Sequence, residues 1–374
     1  MRHQIAISIL LIGISAPAQI PYAEWPVFRG KSDLCGFIRN ELPSKPVLIW
    51  SLPTGESTQS SPVISDNVIF FGSEKGTIFA VRSDRKIVWR YNAGSSVNAP
   101  PLIYGEKIFF GTDNGLFMAL DKSAGKPDWT YQTGNQIAGS ANEWTAGKKS
   151  VIIFGSYDYF LYCLDPGSGK VLWKIETDNY INGTPAVEDN KIVFGGCDGY
   201  LRIADPVTGR LRDTINVGVY IAASPAVKDQ IAYFGDYDGN LYCTDILNGK
   251  ILWRVSSSEG GGSILSVPAT DGNVVIVGRD DKHLCCYDAV TGKMIWRFRT
   301  NGSLKGSAVI TPTQVIFGSS DGTIYMLSIK DGRKLWSFNA GSPVTGSPAV
   351  SGDRFYFLTD DGRLLAFGAG NNVK

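Results

Sequence analysis

A closed ring of eight four-stranded antiparallel blades, a β-propeller, is the fold class this sequence predicts, and three observations predict it. Tryptophans recur about every forty residues, at Trp50, Trp89, Trp129, Trp173, Trp253, Trp296 and Trp336, with Asp213 in the one vacant slot. Twelve residues beyond these come Pro62, Pro101, Ala141, Pro185, Pro225, Ala308 and Pro348, with Pro268 displaced to fifteen. An apolar run then ends in glycine at Gly72, Gly111, Gly155, Gly195, Gly235, Gly278 and Gly318, and in Leu358 at the eighth place. The three markers agree on eight units.

The first element lies outside the repeat. Met1-Arg2-His3-Gln4, an uncharged stretch from Ile5 to Ile14 and the small residues Ser15-Ala16-Pro17-Ala18 read as a signal peptide of residues 1–18. The apolar run is about half the roughly 20 residues that a spanning helix needs. No cysteine stands near the cut, so the expectation is an exported protein, periplasmic or extracellular, without a lipid anchor or transmembrane segment. Residues 19–45 then form a leader packed on a propeller of residues 46–374.

Each unit reads as four short strands, as in the run from Gly183 to Asp213. Val, Ile, Tyr and Phe alternate with polar residues, and Asp-Gly or Asn-Gly pairs stand where tight hairpins need positive φ. Small residues such as Gly183-Thr184, Ala223-Ser224 and Gly346-Ser347 precede the second marker, because innermost strands converge on a crowded axis. The eighth unit would place its tryptophan at 376, past Lys374. Trp50 conversely belongs to a fourth strand with no blade before it, so residues 46–52 are expected to complete the last blade and close the ring.

Composition narrows the function. With 36 Lys plus Arg against 35 Asp plus Glu, the net charge is +1 and no basic stripe suits a phosphate backbone, so nucleic acid is not an expected partner. Only His3, in the leader, and His283 are histidines, which excludes multi-histidine metal sites and most His-dependent triads. Cys163, Cys243 and Cys286 share one repeat position with Ala80, Ala119, Ile203, Met326 and Ala366. That company identifies them as small buried hydrophobes rather than a disulfide framework. A vicinal Cys285-Cys286 bond would strain a mid-strand backbone.

The segments LDPGSGKVLW, TDILNGKILW, YDAVTGKMIW and LDKSAGKPDW resemble the tryptophan-docking repeat of the PQQ-repeat propellers, and EWPVFRG resembles the opening of their secreted members. The resemblance covers residues 22–374. It implies a quinoprotein alcohol dehydrogenase-like fold, with the seven tryptophans as packing devices, and it leaves two branches open: quinoprotein dehydrogenases and non-enzymatic BamB-like scaffolds. The dehydrogenase site implied by the family joins calcium, a carboxylate base, cations facing the quinone and an aromatic floor.

The residues leading into the inner strands do not reproduce that set. At four and three places before the second marker stand Thr58-Gln59, Val97-Asn98, Ile137-Ala138, Ile181-Asn182, Ile221-Ala222, Ile264-Leu265, Leu304-Lys305 and Val344-Thr345, with Lys305 the one charge. Glu56 and Glu143, the latter beside Asn142, are nearby carboxylates without a convergent partner set. Asp236 and Asp238, and Asp280 and Asp281, sit in hairpins and lack the ligand series of a calcium loop. His283 with Cys285 makes two ligands, too few for zinc. No catalytic, cofactor-binding or metal-binding residue is therefore assigned.

The favoured reading is a monomeric, non-catalytic binding or scaffold protein with a protein partner. A small PQQ-dependent oxidoreductase with calcium is the alternative, and a glycan or ligand binder is a third. Two departures from the repeat, Ser256 to Ser263 and Ala141 to Ser150, are either neutral loop drift or a contact element on each face. The candidate rim is Tyr180, Asn182, Tyr220, Ser258, Glu259 and Lys305, which combines aromatic area with hydrogen-bonding groups. Deleting residues 19–52 should cost roughly several kcal/mol of stability by stripping the last blade's outer strand, measured as a lower melting temperature. An unchanged melting temperature would defeat ring closure.

Overall fold

A computed structural model describes residues 24–257 and 261–370; the expected signal peptide lies outside them. Eight four-stranded antiparallel sheets follow one another along the chain. In seven, four consecutive strands pair in order, and in the eighth the strand Val47–Pro53 pairs with Arg363–Gly368. The closing strand thus runs one residue past the expected 46–52. Blades 1 to 7 occupy residues 63–92, 102–132, 142–176, 186–216, 226–255, 269–299 and 309–339, and blade 8 joins 349–368 to 47–53.

Within a blade the two middle strands are almost wholly buried, as in Ile231–Gly235 and Leu241–Asp245, whereas the outer strand alternates. Apolar runs therefore fill the space between blades, and period-two patterning is confined to the rim. All six cysteines are buried free thiols. Burial pushes the Cys243 and Cys286 thiols up to about 12.

The tryptophans join blade to blade. Indole N–H groups donate to main-chain oxygens in the last hairpin of the following blade: Trp50 to Ser83, Trp89 to Lys122, Trp129 to Pro166, Trp173 to Pro206, Trp253 to Ala289 and Trp296 to Ile329, at 2.8–3.1 Å. Except at Trp50, whose hairpin turns through Arg85 at a φ of 74°, the ring lies against that hairpin's glycine. A Cβ added at Gly125 would stand 2.6 Å from Trp89, and one at Gly169 would stand 2.5 Å from Trp129. Both glycines also take positive φ, so the turn tolerates no side chain on two counts.

Two joints differ. Asp213 fills the vacant tryptophan slot and lies over Gly249, where an added Cβ would stand 1.8 Å from its Oδ2; in the first hairpins of the same two blades, Glu188 of blade 4 accepts from the N–H groups of Asp229 and Gln230 of blade 5 at 2.8 and 2.9 Å. Trp336 faces blade 8, whose outer strand arrives from the other end of the chain, and it packs on Phe338, Phe355 and Phe367 instead.

The leader plugs the ring. In six of the eight blades the second residue of the inner strand directs main-chain groups at the axis, and residues 25–38 meet them in turn. Trp25 and Ile64 exchange both bonds, and the Ile103, Val187, Val227, Thr270 and Ile310 N–H groups donate to Pro26, Ser32, Asp33, Cys35 and Gly36 at 2.7–3.1 Å. The Asn142 side chain supplies blade 3's contact, to Ser32 O at 2.8 Å.

Arg29 sits at the centre, 2% exposed, and donates to the carbonyls of Leu34, Cys35, Pro268 and Ala308. Burial pulls its pKa down to about 9, which leaves it cationic at neutral pH. One guanidinium fork thereby ties the leader to blades 6 and 7. Replacing it in Arg29→Met would strand those carbonyls in a dry interior, at about 3 kcal/mol. A denaturant-unfolding midpoint identical to the parent's would refute this role.

Candidate functional site

Strand direction gives the ring two unlike faces. The plug closes the axis on the face of the first and last hairpins of each blade. The opposite face carries the connections between blades and the middle hairpins, and every connection is tied to the hairpin that follows by a main-chain bond. Examples are Tyr157 N–H to Gln136 O, Cys197 N–H to Tyr180 O and Tyr237 N–H to Tyr220 O.

Each connection then dives to the axis. The β-branched or leucine residue four places before the second marker fills the space over the third-marker glycine. A Cβ on Gly111 would lie 2.2 Å from Ile137, and one on Gly235 would lie 2.1 Å from Ile264. The small residues next in line form a ring of hydroxyl bonds. Ser140 N–H donates to Thr184 Oγ1 and Thr184 N–H to Ser224 Oγ; Val267, Ser307 and Ser347 N–H donate to the hydroxyls of Ser307, Ser347 and Ser61. Val267 and Pro100, which bear no hydroxyl, interrupt it. Smallness at these positions serves a crowded axis and also its polar closure.

Above this ring opens a shallow funnel of about 190 Å³ floored by Phe28 of the leader. Asn182 and Lys305 line it, and Lys305 is the one charged residue among the described lining. Asn182 hydrogen-bonds Cys197, while its buried Oδ1 has no partner. A lining of hydroxyls, amides and a single ammonium does not suit calcium, which takes six to eight oxygens and favours carboxylates. Among the described residues no group of three His, Cys, Asp or Glu could hold a metal ion.

The mouth is divided. Over blades 3 to 5 it is aromatic: Tyr180 stacks on Tyr157 at 4.6 Å and tilts against Tyr159, while Tyr220 and Tyr237 are 56% and 57% exposed. Over blades 8, 1 and 2 it is acidic. Glu74 accepts from Ser57 and Gln59, Asp113 from Asn98 and Gln136, and Asp360 from Thr345. Burial raises the Asp360 carboxyl above the usual range.

Of the sequence-derived rim, Tyr180 and Tyr220 thus belong to the aromatic arc, and Asn182 and Lys305 to the funnel wall. Ser258 and Glu259 lie outside the described residues. The flanks of their loop sit on blade 5, with Ser257 N–H donating to Asn240 Oδ1 and Ser263 Oγ to Tyr237 O. Sequence reasoning missed Tyr157, Tyr159 and Tyr237. Tyr157 and Tyr237 share the position two residues beyond the third-marker glycine, a signal available by aligning the units on it.

The remaining candidates serve structure. Asp236 is buried and fixes its hairpin by accepting from Asn240 and Tyr242, and His283 Nδ1 lies 3.2 Å from Asp281. In the lengthened blade-3 hairpin Trp144 is buried, its indole donating to Asp189 O, so it is no exposed contact aromatic. Glu143 there meets Ser32 and Thr145.

The model of the family described as outer membrane protein assembly factor BamB matches residues 47–157, 140–263 and 237–371. The chain therefore belongs to that PQQ-repeat propeller family. No curated protein matches the sequence. Among solved structures it is similar to BamB from Moraxella catarrhalis, with a TM-score of 0.74 and 21% identity over 87% of this chain and 100% of that one. It is also similar to a quinohemoprotein alcohol dehydrogenase from Comamonas testosteroni, with a TM-score of 0.80 and 13% identity over 94% and 81% of the two chains. A europium-containing methanol dehydrogenase gives 0.79 and 13% over 93% and 98%. At such identities these likenesses establish a shared fold. On the funnel's chemistry, adding PQQ with calcium to the purified protein should leave its absorption spectrum the sum of the components; a shifted quinone band would overturn that expectation.

Proposed function

We propose that this chain is an exported, non-catalytic binding protein of the BamB-like branch that takes a protein partner on the face bearing the interblade connections. The observation that carries the reading is the tyrosine arc of blades 3 to 5, held outward beside a funnel whose lining offers no nucleophile–base pair and no carboxylate cluster. Tyrosines of this kind supply contact area at small entropic cost, and their hydroxyls stay wet. The acidic arc across the mouth adds a preference in sign, so the partner segment would set apolar or aromatic residues on blades 3 to 5 and basic ones toward Glu74, Asp113 and Asp360. Likeness to BamB supports a protein partner in the periplasm or at the outer membrane.

The quinoprotein alternative draws on the likeness to the two dehydrogenases and runs against the funnel chemistry. A small-ligand role has the funnel in its favour, and its shallow walls against it.

Tyr180→Ala combined with Tyr220→Ala should weaken partner capture about tenfold or more, read by quantitative pull-down against the parent protein with the melting temperature as a folding control. Equal recovery of the same proteins would place the working surface elsewhere.

A further inference from the structure

The leader's circuit of the axis has a gap. From Trp25 on blade 1 to Gly36 on blade 7 it meets the second residue of six inner strands, and Asn142 makes the contact for blade 3. Blade 8 is left over. Its equivalent residue is Val350, two places beyond Pro348 as Ile64 is two beyond Pro62. Val350 faces Phe355 in the same register as Ile64 faces Ile69, the pairing that turns the Ile64 main-chain groups away from their own blade and toward the leader. Among the described residues the Val350 N–H has no acceptor.

A cavity of about 220 Å³ lies at this gap, between the two ends of the leader's circuit and the first hairpin of blade 8, and Val350 lines it. Its polar wall is cationic. Arg29, Lys31 and Arg39 stand there against one carboxylate, Glu24, which accepts from the Asp66 N–H at 3.1 Å. Among the described residues none of the three cations has an acid within ion-pair distance. Arg29 meets carbonyls alone, so a buried charge is dispersed over dipoles without a counter-ion. The half-buried Phe37 and Ile38 supply apolar wall.

Main-chain contacts set the exposed cations in place. Gly30 takes a φ of 85° with the Trp25 ring 2.5 Å from an added Cβ, which fixes the turn that delivers Lys31, and Lys31 O accepts from the Leu34 N–H at 3.0 Å. Next to Arg39, the Ile38 N–H donates to Ile310 O at 2.9 Å. A free N–H, unpaired cations and an apolar wall together suit a ligand that is acceptor, anion and partly apolar at once, and the cavity has room for about ten of its non-hydrogen atoms.

We propose that this cavity binds a small carboxylate with an aromatic or branched aliphatic body. Its oxygens accept from the Val350 N–H and from Lys31 and Arg39, its body lies on Phe37 and Ile38, and it supplies the countercharge that Arg29 lacks. The ligand thereby completes the plug at blade 8. The inference concerns the face opposite the proposed partner site and does not depend on it.

The test is isothermal titration of the full chain with phenylacetate, with 2-phenylethanol as the neutral counterpart and inorganic phosphate as the bare anion. Phenylacetate is expected to bind with a Kd of about a millimolar or below, and to raise the midpoint of denaturant unfolding because it binds only the folded ring. Lys31→Gln/Arg39→Gln should weaken it about tenfold or more. Both positions are exposed, so the ligand-free variant should unfold at the parent's midpoint. The Tyr180→Ala/Tyr220→Ala protein should bind phenylacetate as the parent does. Absence of saturable phenylacetate binding, or equal affinity in the Lys31→Gln/Arg39→Gln protein, overturns the proposal. So does 2-phenylethanol binding as tightly, which would leave the cations without a role, or phosphate binding as tightly, which would reduce the cavity to an unselective anion site.

Discussion

Most joints in this ring depend on an indole lying on a glycine one blade further on, as with Trp89, Trp129, Trp173, Trp253 and Trp296 on Gly125, Gly169, Gly209, Gly292 and Gly332. The contact couples three requirements at one place: an apolar ring half-buried between blades, an N–H that must find an acceptor, and a turn with no Cβ to hold the two apart. Because it links the outer strand of one blade to the last hairpin of the next, it sets the angle between blades at the rim. The β-branched residues seated over glycines, and the hydroxyl ring beneath them, set that angle near the axis. Rim and axis together leave little freedom, and closure with Val47–Pro53 in blade 8 is the consequence.

The exceptions show what the contact supplies. Where Asp213 replaces the indole, its carboxylate lies over Gly249 of the next blade, and Glu188 adds charge-assisted bonds between the first hairpins of blades 4 and 5. Where Trp336 meets no hairpin, an aromatic cluster with Phe338, Phe355 and Phe367 substitutes. Arg29 solves a different problem, since inner strands leave main-chain groups unpaired around the axis. The leader pairs with them in turn, and its guanidinium gathers carbonyls that water could not reach. Arg29 and Leu34 take left-handed φ of 69° and 59°, conformations that persist because the contacts around them over-determine the chain.

Two faces of opposite character follow from strand direction alone. One gathers the interblade connections and middle hairpins, and with them the tyrosines and the acidic arc. The other gathers the remaining hairpins, the plug and the cationic cavity at its gap. Family membership speaks to the scaffold. The chemistry of each face comes from residues the repeat leaves free to vary, and for that reason the two surfaces can take unlike partners.

The sequence by itself determined the number of blades, the strand order, the closing strand and the buried state of Cys163, Cys243 and Cys286, because each rests on a local pattern repeated around the ring. Gly72 and its equivalents, the docking tryptophans and the small residues near the axis carry their physical reasons in their spacing. Tertiary structure alone decided what the leader does, since nothing around Arg29 signals a buried guanidinium until eight inner strands converge on it. It likewise decided that Trp144 is buried, and that Tyr157, Tyr159 and Tyr237 join Tyr180 and Tyr220 at one mouth. These residues lie far apart in the chain or in different blades, and closing the ring is what brings them together.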